Sequence, residues 1–158
     1  MKKFLVILLA IVLAGCSNSA SEEQKDFKPG VEIPFEIAAY MEDIAPIYMN
    51  QVPYIAYAKT EGQLTSLKKR FKIENFDMDM DKYFAVFVVS QSNSCGIVPE
   101  NVYNDDNKVA VQLIEPSSDD CDVEPMNHTF VIQVEKADYE KVQLYNGNIL
   151  KSSMDIKE

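Results

Sequence analysis

Apolar side chains recur along residues 31–150 with two different periods, and the points where one period gives way to the other mark the elements. Tyr83 to Val89 is continuously apolar and rich in aromatic and β-branched residues, so it reads as a central strand buried on both faces. Thr129 to Glu135 alternates, with Phe130, Ile132 and Val134 on one side, as a strand does. Ile97 to Tyr103 and Val109 to Ile114 flank Asn104-Asp105-Asp106-Asn107, which predicts a hairpin. Tyr54 to Ala58 reads as a short strand. A small terminal hairpin follows from Val142–Tyr145, Asn146-Gly147 and Asn148–Leu150, with Lys151 to Glu158 as a frayed tail. Val31 to Tyr40 alternates imperfectly around Pro34, which suits an edge strand. Residues 35–50 also admit a helical reading, because Ile37, Tyr40, Met41 and Ile44 fall at helical spacing.

The one clear helix spans about residues 61–71. Thr60 and Gln63 form a capping box, and Leu64, Leu67 and Phe71 make a single apolar stripe. Lys68, Lys69, Arg70 and Lys72 crowd its last turns, where positive charge complements the helix dipole. The expected fold class is therefore α+β and β-dominated: a compact, mainly antiparallel sheet with one packed helix, formed by a single globular domain over residues 31–150.

Ahead of that domain the pattern changes. Lys2 and Lys3 precede an apolar run from Phe4 to Val12, which ends in Leu13-Ala14-Gly15-Cys16. The run is too short for a bilayer core, which needs about twenty apolar residues, and it has the layout of a cleaved export signal. Small residues followed at once by cysteine resemble the lipobox of bacterial lipoprotein signal peptides. That resemblance implies removal of residues 1–15 and diacylglyceryl modification of Cys16, with palmitate-type chains placing the protein on the cell membrane or outer membrane at the cell surface. Two acyl chains give a stable anchor where one does not. Residues 16–30 then read as a lipidated N-terminus and flexible polar tether, rich in Ser, Asn and Glu.

Composition narrows the function classes. The 158 residues carry 15 Lys and Arg against 25 Asp and Glu, a formal charge of −10. Loss of Lys2 and Lys3 takes it to −12. So acidic a surface repels nucleic-acid backbones. One His, no Trp and five Gly leave little for a phosphate-cradling loop or a multi-histidine metal centre. Of three cysteines, the acylated Cys16 leaves an even pair, Cys95 and Cys121, and outside the cytoplasm a disulfide is their expected state. The competing use, Cys95 as a nucleophile with His128 as base, lacks any neighbour that lowers the thiol pKa, and carboxylates surround Cys121.

From Tyr54 to Lys136 the order of motifs is similar to the C-terminal domain of the PrcB family of protease-complex lipoproteins. The features that carry this are Tyr54 to Ala58 leading into Thr60-Glu61-Gly62-Gln63-Leu64, Asp79-Met80-Asp81-Lys82 before the strand at Tyr83, Ser94-Cys95-Gly96 before Ile97, and Glu124-Pro125-Met126-Asn127-His128-Thr129 before Phe130. The chain departs from the family in having Cys95 where a glycine-rich loop is usual. The resemblance implies a surface lipoprotein that associates with or stabilises an exported protease or another exported protein, and it brings no catalytic residues.

The remaining candidates are weaker. Asp77, Asp79 and Asp81 begin like an EF-hand loop, but Lys82 and Val88 stand where its glycine and its glutamate belong. Asp119, Asp120, Asp122 and Glu124 would suit weak Ca²⁺ binding if carbonyls converge there. His128 is alone and reads as a hydrogen-bonded surface residue of a loop. Tyr54, Tyr57 and His128 are the candidate partner contacts, with plain core packing as the competing use of the tyrosines. The expectation is a membrane-anchored, extracytoplasmic, non-enzymatic protein-binding module without cofactor or catalytic residue; the alternative is a surface lipoprotein that binds a small ligand or Ca²⁺.

Overall fold

The computed structural model describes residue 27, residues 29–116, residue 121 and residues 124–157. Residues 1–16, where the export signal and the acylated Cys16 are expected, and the acidic residues 119, 120 and 122 lie outside the described residues. Strands β1 (Val31–Glu32), β2 (Phe35–Met41) and β3 (Tyr54–Ala58) precede helix α1 (Glu61–Phe71). After it come β4 (Tyr83–Ser92), β5 (Val98–Asp105), β6 (Lys108–Ile114), β7 (Met126–Glu135), β8 (Lys141–Asn146) and β9 (Ile149–Asp155). They form two sheets rather than one, a five-stranded sheet ordered β1-β5-β6-β8-β9 and a four-stranded sheet ordered β2-β7-β4-β3. The fold is β-dominated and mostly antiparallel with a single helix, as the patterning predicts.

The continuous apolar run of β4 has a simple cause. Phe84, Val86 and Val88 point into a core shared with Val102, Val109, Val111, Leu113, Val142 and Leu144 of the five-stranded sheet. Ala85, Phe87 and Val89 point the other way, into a core made with Leu64, Leu67 and Phe71 of the helix and with Ile73, Phe76, Met78 and Met80 beyond it. The four-stranded sheet is thus the middle of three layers, covered on both faces, and only an all-apolar strand fits there. The pair β6–β8 is parallel because β7, which joins them in sequence, lies in the opposite sheet: crossing the sandwich twice restores the chain direction.

The helix is capped as its sequence indicates. Gln63 N–H donates to Thr60 Oγ1, and the Gln63 side chain accepts from Lys59 N–H at 2.8 Å. At the other end Lys72 takes a left-handed conformation with φ 57°, and both it and Ile73 donate to the Lys68 carbonyl. Lys68 is drawn inward, donating to the Phe76 carbonyl and lying 4.5 Å over that ring.

Several expectations are corrected. Val31 to Tyr40 is two strands, because Pro34 interrupts the ladder where the chain passes from one sheet to the other. The helical reading of residues 35–50 gives way to β2 and a short 3₁₀ turn, Pro46–Tyr48. Residues 151–155 are not frayed but belong to β9, paired with β8 from Lys141↔Asp155 to Asn146↔Ile149, and Ile156 N–H donates to the Glu140 carbonyl. The turn of that hairpin is Gly147-Asn148, with the positive φ (54°) at Gly147 alone, a type II′ pattern one residue later than Asn-Gly suggests. The chain meets the domain before residue 30: Phe27 packs edge-on against Tyr103 and at a tilt against Tyr145, at centroid distances of 5.6 and 4.4 Å, on the outer face of the five-stranded sheet. Gly30 passes so close to β5 that a Cβ there would meet the Asn104 carbonyl oxygen at 2.0 Å.

Candidate functional site

The site is built around the free side of β2. A bulge between Ile37 and Ala39 in its pairing with β7 shifts the side-chain alternation by one residue. Phe35 and Ile37 before the bulge, and Tyr40 and Glu42 after it, therefore lie on the same face, whereas Ala38, Ala39 and Met41 pack toward the helix layer. The sandwich is open here. Ile37, Tyr40 and, from the start of β5, Val98 remain 46%, 47% and 43% exposed. Between them runs a groove of about 410 Å³ whose floor is Met126, His128 and Phe130 and whose far wall is Ser94 to Val98.

The far wall is held by the disulfide. Cys95 and Cys121 are bonded, with Cα atoms 5.3 Å apart across a sequence separation of 26. The turn that presents Cys95 is braced by Asn93, whose Oδ1 accepts from Cys95 N–H at 2.9 Å and whose carbonyl accepts from Gly96 N–H at 3.0 Å. Gly96 has φ +82°, a conformation that suits glycine.

His128 is the departure from the sequence reading. It lies on β7 rather than in a loop, and it is 2% exposed rather than a surface residue. Both ring nitrogens are bonded: Nδ1 to the Tyr40 hydroxyl at 2.9 Å and Nε2 to Ser92 Oγ at 2.8 Å. Ser92 Oγ in turn donates to the Asn93 carbonyl at 3.0 Å. That last bond fixes the direction of the chain: Nε2–H donates to Ser92, and Nδ1 accepts from Tyr40. Burial lowers the His128 pKa, with the nearby Glu42 charge opposing, so the neutral ring that this network needs is the favoured form. Burial first, then Glu42, raises the Tyr40 pKa and keeps its hydroxyl protonated. Tyr40 also stacks on Phe130 at 5.0 Å.

Chemically this relay positions rather than reacts. The imidazole already holds a proton on the nitrogen that faces Ser92, so it is not set to take one, and the serine is nearly buried. What the relay does is hold the Tyr40 ring upright at the rim and couple it to the turn before Cys95. Glu42 is the carboxylate of the groove lining; with His128 neutral, the groove carries negative charge. The adjoining segment is pinned by Thr129, buried on β7, whose hydroxyl donates to the Asp43 carbonyl at 2.7 Å.

The other candidate contacts do not join His128. Tyr54 packs at a tilt against Tyr48, with ring centroids 4.6 Å apart, at the helix-side core. Tyr57 stacks on Phe84 at 5.8 Å on the opposite face of β3, and its hydroxyl accepts from Lys157 N–H at 2.7 Å. Core packing and an anchor for the C-terminal strand account for both. Asp79 spends its carboxylate locally, on Asp81 N–H at 3.1 Å and on Lys82 at 3.1 Å, while Met78 and Met80 are buried. Among the described residues no group of three or more His, Cys, Asp or Glu is placed to hold a metal ion. Ile37, Glu42, Ser92 and Val98 escape sequence reading: the bulge that brings Ile37 and Glu42 to one face leaves no mark in the alternation, and only the fold brings β4 and β5, which carry Ser92 and Val98, beside them.

No protein-family model matches the chain, and neither a curated protein nor a solved structure matches it.

Proposed function

We propose that this chain is an extracytoplasmic lipoprotein, anchored to the cell membrane or outer membrane through acylated Cys16, whose domain binds or stabilises another exported protein without catalysing a reaction. The binding surface is the groove below β2. The observation that carries this reading is the set of three half-exposed apolar side chains, Ile37, Tyr40 and Val98, around one groove whose walls are fixed by a buried hydrogen-bond relay and a disulfide. A contiguous apolar rim on a rigid frame lowers the ordering cost of association, and a tyrosine at its centre is a common interface anchor. The similarity to the PrcB lipoproteins makes an exported protease one such partner.

The tether adds a distance limit. Ten residues separate Cys16 from Phe27. A link of that length reaches at most about 40 Å when fully extended. With Phe27 against Tyr103 and Tyr145, an anchor at Cys16 would limit how far the outer face of the five-stranded sheet stands from the bilayer and would leave the groove, at the edge of the sandwich, accessible to a partner.

The test is mild crosslinking in native cells followed by detergent extraction and purification of the lipoprotein. One exported protein should be recovered with the wild type and lost with the double variant Ile37→Asp/Val98→Asp. Equal recovery with both, or no recovery with either, contradicts the proposal.

A further inference from the structure

Resting on that reading, we infer that the groove takes its partner by strand addition: an extended segment carrying basic residues pairs with the free edge of β2 and drops an apolar side chain between Ile37, Tyr40 and Val98. β2 closes the four-stranded sheet, and no described residue pairs with its outer side. An unpaired edge is a template for a further strand, with main-chain hydrogen bonds giving affinity and alternate side-chain positions giving selectivity.

Charge selects the occupant. β2 reads Phe-Glu-Ile-Ala-Ala-Tyr-Met, without a cation, and Glu42 and Asp43 follow it. Glu36 and Glu42, both exposed, stand near its two ends; Glu36 is on the helix-side face and Glu42 lines the groove. A second copy of the chain is a poor partner, because pairing β2 with itself brings together two chains of strongly negative net charge and supplies no cation to either glutamate. A segment with a Lys or Arg facing each glutamate gains two opposite-charge cross-strand pairs instead. The bulge removes one position from the count and puts the two cations on opposite faces of the incoming strand. Such a segment also complements a domain of strongly negative net charge.

The experiment uses the purified lipoprotein in detergent micelles and a short synthetic peptide of alternating threonine and valine with a lysine at each end. Controls are the same peptide with glutamate ends and the lysine peptide N-methylated at alternate amides. The lysine peptide is expected to slow amide exchange along β2 and to shift the resonances of Ile37, Tyr40 and Val98. The glutamate peptide should bind about tenfold more weakly, two exposed cross-strand pairs being lost. The N-methylated peptide should not protect β2. Glu36→Lys/Glu42→Lys should reverse the preference; should that variant fold poorly, the three peptides on the wild type still decide. Absence of protection on β2 at millimolar lysine peptide, or equal binding of all three, overturns strand addition. A partner crosslinked at the groove while β2 amides stay unprotected overturns it too and leaves the binding function standing; no partner at the groove at all brings down the binding function itself.

Discussion

Removing the Cys95–Cys121 bond should destabilise the domain and loosen one wall of the groove in particular. The bond closes a loop of sequence separation 26. On the chain-entropy relation, releasing such a loop in the unfolded ensemble costs the native state about 3.5 kcal/mol. For a domain of this size that lowers the melting temperature by about 10–15 °C. The Cys95→Ser/Cys121→Ser double variant of residues 17–158 should therefore show a urea midpoint well below that of the oxidised wild type. Wild type treated with reductant should follow the variant, since both lack the same constraint. The local effect is separable from the global one. Ile97 is buried under the turn that Asn93 braces, and Val98 follows at the rim. Amide exchange at Ile97 and Val98 should accelerate in the variant under native conditions, while Phe87 and Val131, buried at the centre of the four-stranded sheet, follow the global stability. A loss below about 1 kcal/mol would refute the constraint argument. Unchanged exchange at the rim would refute the claim that the disulfide shapes the groove.

Other outcomes follow from single residues. Because burial depresses the His128 pKa below its unfolded value, the unfolded chain binds more protons in mildly acidic solution; stability should be complete above about pH 6.5 and fall as pH drops below it, a component missing from His128→Gln in urea melts across pH. Lys72→Gly should raise stability by about 1 kcal/mol, since it relieves a left-handed non-glycine residue at the helix end, and a decrease in the urea midpoint would contradict that. Phe27→Ala should cost about 1 kcal/mol and free the tether, read as faster proteolysis ahead of Pro29. Cys16→Ser should abolish acyl labelling and shift the protein out of the membrane fraction; membrane retention without acylation would contradict the anchor.

The elements whose environment is uniform were legible in the chain. β4 is sandwiched on both faces and shows it in seven successive apolar residues, and α1 carries its own cap and stripe. The Asp106-Asn107 turn, with φ 47° and 63°, follows from side chains that tolerate that region. The division into two sheets was not legible, because alternation reports that one face is buried and not against which sheet. The part of β9 after Leu150 read as a frayed tail since Lys151, Ser152, Ser153 and Asp155 are polar; it continues an edge strand whose main chain is paired by β8. The site was the least visible part. His128 looks like a loop residue beside Pro125, and only the fold supplies Tyr40 and Ser92, respectively 88 and 36 positions away, as its partners. The bulge at Ala38 hides the common face of Ile37, Tyr40 and Glu42 from the two-residue period of a strand.

Photo-crosslinking in the native cell tests the account at its centre. A photoreactive residue placed at Tyr40, on the groove rim, should give one discrete adduct with an exported protein, and the same residue at Ser153, on β9 of the other sheet, should not. Adducts at both positions alike, or none at Tyr40, would contradict the assignment of the groove as the binding surface.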